Sequence, residues 1–411
     1  MLSADELQFY FMHFMPYADR PADESDSVWV DYSNSHYDPG VGKRYYERYV
    51  DEMVLADRLG FDGLVVNEHH SSPYSMMPSC TVMASTLVAL TGRAKICIFG
   101  TPVNLTYPNR LAEEYAMLDV MSGGRTELAF PLGTGMEYWS NANEIAPATA
   151  RARYREALDV IRQAWTTDGP TTYSGRYYNY RYLNVWPKPF QQPHPKLYIM
   201  GSGSPGTIDL AAELGFGYSV TFIPITQQLA AFDRYRAKVT EAGGTPRADS
   251  LILGVMAYVA DTDEEALEEG RQHILFYFNN MMRTTPRYLA PPGYVELGEY
   301  RRRIERMLTQ GVHGNTDWET LTKLSRVVCG SPDTVANAIA GWVRDAGSSR
   351  VICHLHLGDM PHWKTVKNLT LFAEEVLPRV RRLIGSDAAR AIGARAAGED
   401  AAAVGGMHAG R

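Results

Sequence analysis

Forty-seven acidic against 40 basic residues leave this 411-residue chain with a net charge of −7, which argues against nucleic acid as a partner, since neutralising phosphates needs a basic face. With 45% hydrophobic and 21% charged residues, nothing suggests disorder or a membrane span over most of the chain, and one sizeable core is expected. Cys80, Cys97, Cys329 and Cys353 lack CxxC spacing and read as reduced thiols. Residues 2–15 carry acids in place of a basic n-region, so the expected location is the cytoplasm.

Leu7–Phe14 is the first predicted strand, and the acidic segment 17–42 that follows is too long for a simple connection. Apolar residues at helical spacing predict a helix over Tyr45–Leu59, with Gly60 as its stop. Next comes FDGLVVNEHHSSPYSMMPS, Phe61 to Ser79. Its short apolar run (Phe61, Leu64, Val65, Val66) reads as a buried parallel strand that delivers Asn67, Glu68, His69 and His70 at its carboxyl end, where barrel enzymes keep their chemistry. A helix near 81–91, a strand at Ala94–Phe99, a helix at Asn109–Met121 and a strand at Thr126–Phe130 follow. An amphipathic helix within 147–166 leads through an aromatic, Pro-rich excursion (169–195) to a strand at Lys196–Met200, the loop Gly201–Thr207 and a helix from Ile208. Strands at Tyr218–Phe222, Leu251–Ala260 and Arg350–His356 complete eight.

Eight strands alternating with helices favour an α/β fold, a (β/α)8 TIM barrel, over an open sheet. The reading places one domain over residues 1–385, with loop insertions at 17–42 and 169–195 and a helical insertion at 276–325 before the last strand. Residues 386–411, rich in Ala and Gly, are expected to form a frayed tail.

The loop Gly201-Ser202-Gly203-Ser204-Pro205-Gly206-Thr207 combines glycines for close backbone approach with hydroxyls at a helix N-terminus, which suits a phosphate, although an ordinary Ser cap on a tight turn uses the same residues. Of Glu68, His69 and His70, only some can face one way, because extended residues alternate. One histidine suits proton donation or abstraction near neutral pH, while its neighbour can be a satisfied buried side chain. A metal-dependent hydrolase would need His354 and His356 to join the pair; no HExxH pattern supports this, and no metal is assigned.

Four segments in order, NEHH, RLAEEYAMLDVMSGGR, RARYREALDVI and GSGSPGT before IDLAAELG, resemble the bacterial luciferase-like flavin-dependent monooxygenase family. The resemblance runs from about Leu7 to Ala260 and resumes at the last barrel segment. It implies a TIM barrel that receives reduced FMN from a separate flavin reductase and reacts it with O2 through a flavin C4a-(hydro)peroxide, inserting one oxygen into a small apolar or aromatic substrate. The family's catalytic histidine aligns with His69, with His70 beside it; its phosphate segment aligns with Gly203–Thr207, and its phosphate-reaching arginine with Arg151 or, within alignment error, Arg153. Asn104 falls where the family contacts the flavin ring, and Glu68, Tyr107 and Tyr138 fall on the substrate side. The light-emitting enzyme has an acidic residue where Gly203 stands and an arginine where Leu132 stands; the second change leaves one fewer charge for the phosphate, which implies either looser FMN or a larger share for Arg151, and its reactive cysteine has no match near Phe130, so light emission is not implied. The same barrel family also includes deazaflavin-dependent hydride-transfer enzymes. A homodimer through Arg110–Val120 and Tyr45–Leu59 is expected from the resemblance.

Overall fold

The computed structural model describes residues 2–22, 25–141, 147–289, 291, 293–310, 314 and 316–386; the tail expected beyond 386 lies outside the described residues. Strands β1 (Gln8–Met12), β2 (Gly63–Val66), β3 (Lys95–Ile98), β4 (Thr126–Pro131), β5 (Lys196–Gly201), β6 (Gly217–Val220), β7 (Leu251–Val259) and β8 (Arg350–His354) each pair in parallel with the next. β8 returns to β1, with His354 opposite Met12, and closes the TIM barrel. Strand alternation explains the run of apolar residues in every strand: Phe9 and Phe11 of β1 pack outward under the helices, whereas Tyr10 and Met12 enter the lumen.

The helices follow local signals. Asp38 caps Pro39–Leu59, which ends at Gly60 in the left-handed region, and Ser79 caps Cys80–Leu90. Pro108–Ser122, Ala150–Thr166 and Pro205–Glu213 cover the next strands.

Two features depart from the sequence reading. The excursion at 169–195 contains an antiparallel hairpin, Thr171–Ser174 with Asn179–Leu183. The insertion holds the helices Pro286–Leu289, Leu297–Gln310 and Trp318–Lys323. It ends in a short strand, Val328–Gly330, that adds to the carboxyl end of β7 outside the closed ring. This strand escaped notice because a three-residue run carries almost no periodicity.

The lumen changes character along its axis. At the amino ends of the strands, Arg350 Nη1 contacts both carboxylate oxygens of Glu127, and Lys95 Nζ lies 2.6 Å from the same group. Tyr10 OH joins them, 2.8 Å from Arg350 and 3.2 Å from Glu127. Burial acts to raise the Glu127 pKa, but Arg350 and Lys95 outweigh it and hold the carboxyl below its usual range. Higher up, His354 is 1% exposed, and neither ring nitrogen has a hydrogen-bond partner among the described residues. It stacks on Phe14 (5.6 Å) and meets the tilted ring of Phe222 (4.5 Å), and burial pulls its pKa down to about 3.

Two stability predictions follow from this axis. Arg350→Met leaves the buried Glu127 carboxylate with Lys95 as its remaining charged partner and is expected to cost about 3 kcal/mol in denaturant unfolding, the low end for breaking a buried pair, with Glu127→Gln added to it restoring part of the loss. A single-mutant cost within experimental error would show that the pair is not a net constraint. For His354, the folded pKa lies below the unfolded value of about 6.5, so the unfolded chain binds the proton first and stability is lost as pH falls from about 6.5. Unfolding free energies measured from pH 7 to 4 are expected to fall less steeply in His354→Phe, and an unchanged slope would refute this account.

Candidate active site

A cavity of about 330 Å³ opens at the carboxyl ends of the barrel strands. Asn67, Glu68 and His69 after β2, the segment Pro131–Glu137 from the end of β4, and Gly201, Ser202, Ser204 and Thr207 from the end of β5 form its polar and loop walls. Phe14, Trp29, Tyr74, Met200, Phe222 and Met282 supply apolar lining, and Tyr294, Met307 and Arg326 come from the insertion or the segment just after it. Aromatic and methionine side chains thus line this wall.

His69 donates from Nδ1 to Glu137 Oε1 at 2.8 Å. Glu137 is buried, and its other oxygen accepts the Thr134 backbone N–H at 2.7 Å. A carboxylate on Nδ1–H fixes the tautomer, which leaves Nε2 as the atom able to take or give a proton. Rings of Trp29 (5.1 Å), Tyr74 (5.0 Å) and Phe14 (6.3 Å) surround the imidazole and restrict its rotation. The sequence reading missed Glu137, which lies 68 residues from His69 on the short helix Gly135–Asn141. The only signal was an acid beside Tyr138 in the loop after the fourth strand.

His70, read as a second catalytic residue, does not line the cavity. It bonds through Nε2 to Glu68 Oε1 at 3.2 Å, and that bond raises its pKa. The reason is the alternation of an extended chain, which sends His69 and His70 to opposite sides. Glu68 reaches the wall, but its Oε2 accepts from Cys80 N (3.1 Å) and Thr101 Oγ1 (3.0 Å). Gly100 is required there, because a Cβ would lie 2.2 Å from Glu68 N.

Across the cavity, Ser204 Oγ and Thr207 Oγ1 are 2.8 Å apart at the start of helix Pro205–Glu213, and the Ser204 side chain makes no cap bond to that helix. Gly203 has φ +86°, a left-handed conformation that favours glycine, and its N–H donates to Tyr218 OH at 3.1 Å. Arg151 lines the cavity, its Nη1 3.7 Å from where a Cβ on Gly206 would stand. Arg153 instead lies over the rings of Tyr177 and Tyr178, which leaves Arg151 as the arginine at the loop. Two hydroxyls, a helix N-terminus, open glycine backbone and a guanidinium fit a phosphate monoester such as that of FMN.

Asn104 Nδ2 donates to Tyr138 OH, which donates to the Leu132 carbonyl at 2.9 Å; neither side chain lines the cavity, although Asn104 Oδ1 is buried without a hydrogen-bond partner among the described residues. Tyr107, read as substrate-facing, is 74% exposed just before Pro108 and points away from the cavity. The four histidines of the metal reading are dispersed. His69 and His70 have separate carboxylates, His354 lies between phenylalanines, and His356 joins His13 around Glu52. Arg48 Nε, 2.8 Å from Glu52, already neutralises that carboxylate.

Comparison with known proteins agrees with this architecture. A family model described as luciferase-like monooxygenase matches residues 26–350. The oxygenase component of the flavin-dependent trigonelline monooxygenase of Acinetobacter baylyi is 23% identical over 243 residues, covering 58% of this chain and 66% of that one. An F420-dependent glucose-6-phosphate dehydrogenase of Microbacterium testaceum is 26% identical over 346 residues, covering 81% and 93%. Among solved structures, the oxygenating constituent of 3,6-diketocamphane monooxygenase from Pseudomonas putida, in complex with FMN, has a TM-score of 0.67 at 20% identity, covering 90% of this chain and 98% of that one. With a family match that spans most of the barrel, the chain belongs to the luciferase-like monooxygenase family.

Proposed function

We propose that this protein is the oxygenase of a two-component system, an enzyme that takes reduced FMN from a separate reductase and uses O2 to put one oxygen atom into a small apolar or aromatic substrate. The observation that carries the reading is the pairing, in one cavity, of the His69–Glu137 couple with the phosphate loop Gly201–Thr207 and Arg151. Ser204, Thr207, Arg151 and the glycine backbone at Gly206 would hold the FMN phosphate. When bound, the flavin supplies the oxygen-activating chemistry. His69, oriented by Glu137, holds or moves a proton at Nε2, and the aromatic wall of Phe14, Trp29 and Tyr74 excludes water around it.

The F420-dependent relative favours a second reading, hydride transfer with a deazaflavin on the same barrel. Stopped-flow absorbance separates the two when protein loaded with anaerobically reduced FMN meets oxygen. A transient distinct from both reduced and oxidised flavin, with a decay that substrate hastens, is the expected result. Reoxidation at the rate of free flavin would move the deazaflavin ahead. In the oxygenase, His69→Ala is expected to lower turnover by roughly 10²–10⁴-fold with FMN affinity little changed. Turnover equal to wild type would remove His69 from the mechanism.

We further propose a homodimer. Val82, Leu90, Met117, Val120 and Met121 are exposed on the neighbouring helices Cys80–Leu90 and Pro108–Ser122, an apolar surface of the kind that a partner covers. Helix Pro39–Leu59 has no such large exposed apolar side chain, so Cys80–Leu90 replaces it in the interface expected from the sequence. Light scattering is expected to give twice the monomer mass, falling to the monomer in Met117→Lys/Val120→Asp; a monomeric wild type would end the proposal.

A further inference from the structure

His354 is the last residue of β8, opposite Met12 of β1 and Met256 of β7, and it faces the lumen as Ile352 and Arg350 do before it on the same strand. Both of its ring nitrogens are buried without a hydrogen-bond partner among the described residues. With its pKa pulled down to about 3 by burial, the imidazole is neutral near pH 7, so one nitrogen carries a proton to donate and the other a lone pair to accept. A group left this way in a closed core costs free energy that a carbon ring in its place would not.

One layer of rings separates the imidazole from the cavity. Phe14 stacks on it at 5.6 Å and Phe222 lies tilted at 4.5 Å, and both line the cavity. Phe222 has φ +64°, a strained conformation that bulky residues rarely adopt outside functional sites. Further unused capacity lies against the same two rings. Tyr74 and Tyr277 share one bond, hydroxyl to hydroxyl at 2.8 Å, so one of their two O–H protons has no acceptor among the described residues. Tyr74 packs on Phe14 at 5.2 Å, and Tyr277 on Phe14 and Phe222 at 6.1 and 6.3 Å. An imidazole and a phenol pair, all neutral, suit an uncharged polar group and not an ion.

We propose that His354 is a substrate-recognition residue: when the Phe222 ring turns aside, the imidazole joins the cavity and donates to an uncharged oxygen, a hydroxyl or a carbonyl, on an otherwise apolar or aromatic substrate. This rests on the reading of the cavity as the substrate site and names the substrate's polar end. A ligand without the oxygen leaves the N–H unpaired, which is the source of discrimination. Phe14 contacts both His354 and, at 6.3 Å, His69, so a substrate held at His354 lies one ring away from the proton-handling histidine.

The test uses protein labelled with nitrogen-15 histidine, in which the His354 signals are those that His354→Gln lacks, and two pairs of near-isosteres, acetophenone with α-methylstyrene and benzyl alcohol with ethylbenzene. At least one oxygen compound is expected to shift a His354 ring nitrogen while its hydrocarbon partner does not. In isothermal titration that compound is expected to lose about ten-fold in affinity in His354→Phe, less in His354→Gln, with the hydrocarbon unchanged. Unmoved His354 signals with every compound, equal losses for both members of each pair, or no binding at the solubility limit would overturn the proposal. So would His354 nitrogens already hydrogen-bonded in the ligand-free protein, the mark of a buried water. The nitrogen shift on the wild type decides the matter even if His354→Phe fails to fold. Phe222→Ala is expected to bring the same shift at lower ligand concentration, and a higher requirement would remove that ring as the cover. FMN is titrated into the same samples. A His354 shift caused by FMN itself would assign the residue to the flavin and overturn the substrate role, and FMN binding with no shift from any compound would end this inference alone. The shift in a protein that binds no flavin would end the flavin reading and leave this one standing.

Discussion

The buried ion pair between Arg350 and Glu127 ties the first residue of the last barrel strand to the fourth strand, across a lumen that also holds Lys95 and Tyr10. Closing eight parallel strands creates an interior that side chains must fill, and here the amino end is filled with paired charges. Removing Arg350 leaves the Glu127 carboxylate in a dry interior balanced by Lys95 but not by its closest cation, so the last strand and the fourth are coupled across the lumen by a pair that neither loses without cost. Tyr198 and Ile252 flank Arg350, Ile352 and then His354 follow along the last strand with Phe14 on the histidine, and the cavity opens at the carboxyl ends of the strands.

That gradient explains how the site is built. The strands end where the packed layers end, and the polar residues that follow β2, β4 and β5 are delivered to one rim without having been buried on the way. Each is then fixed by a partner from another segment. Glu137 holds His69, Tyr218 holds the Gly203 amide, and the Phe222 carbonyl holds Arg326. A rim made in this way is rigid around His69, yet its roof comes from the insertion and the residue just after it through Tyr294, Met307 and Arg326. Residues of the roof can therefore change without disturbing the barrel.

His354 is one of several buried side chains, with Asn104 and Ser219, that carry a polar atom without a hydrogen-bond partner among the described residues. A histidine with neither nitrogen bonded, between two phenylalanines, lowers stability on acidification and takes no part in the proton handling at His69. By contrast, the Glu52 carboxylate collects His13, His356, His362 and Arg48, so a buried acid there is fully answered. Both histidines of the last strand's end, candidates for a metal by type, are thus accounted for by packing or by an acid.

The sequence by itself determined the eight strands, their alternation with helices, His69 at the end of β2 and the Gly/Ser loop after β5, because each is encoded within a few consecutive residues through periodicity and caps. Glu68 was legible for the same reason, whereas Arg151, with Arg153 as its alternative, was reached only through the family resemblance. Only the tertiary structure decided that His69 and not His70 meets the cavity, that Glu137 is its partner, that Tyr107 points away, and that Arg326 joins the wall. These depend on contacts between segments 68 or more residues apart, or on the rotation of one extended residue relative to the next, and neither leaves a mark in local composition.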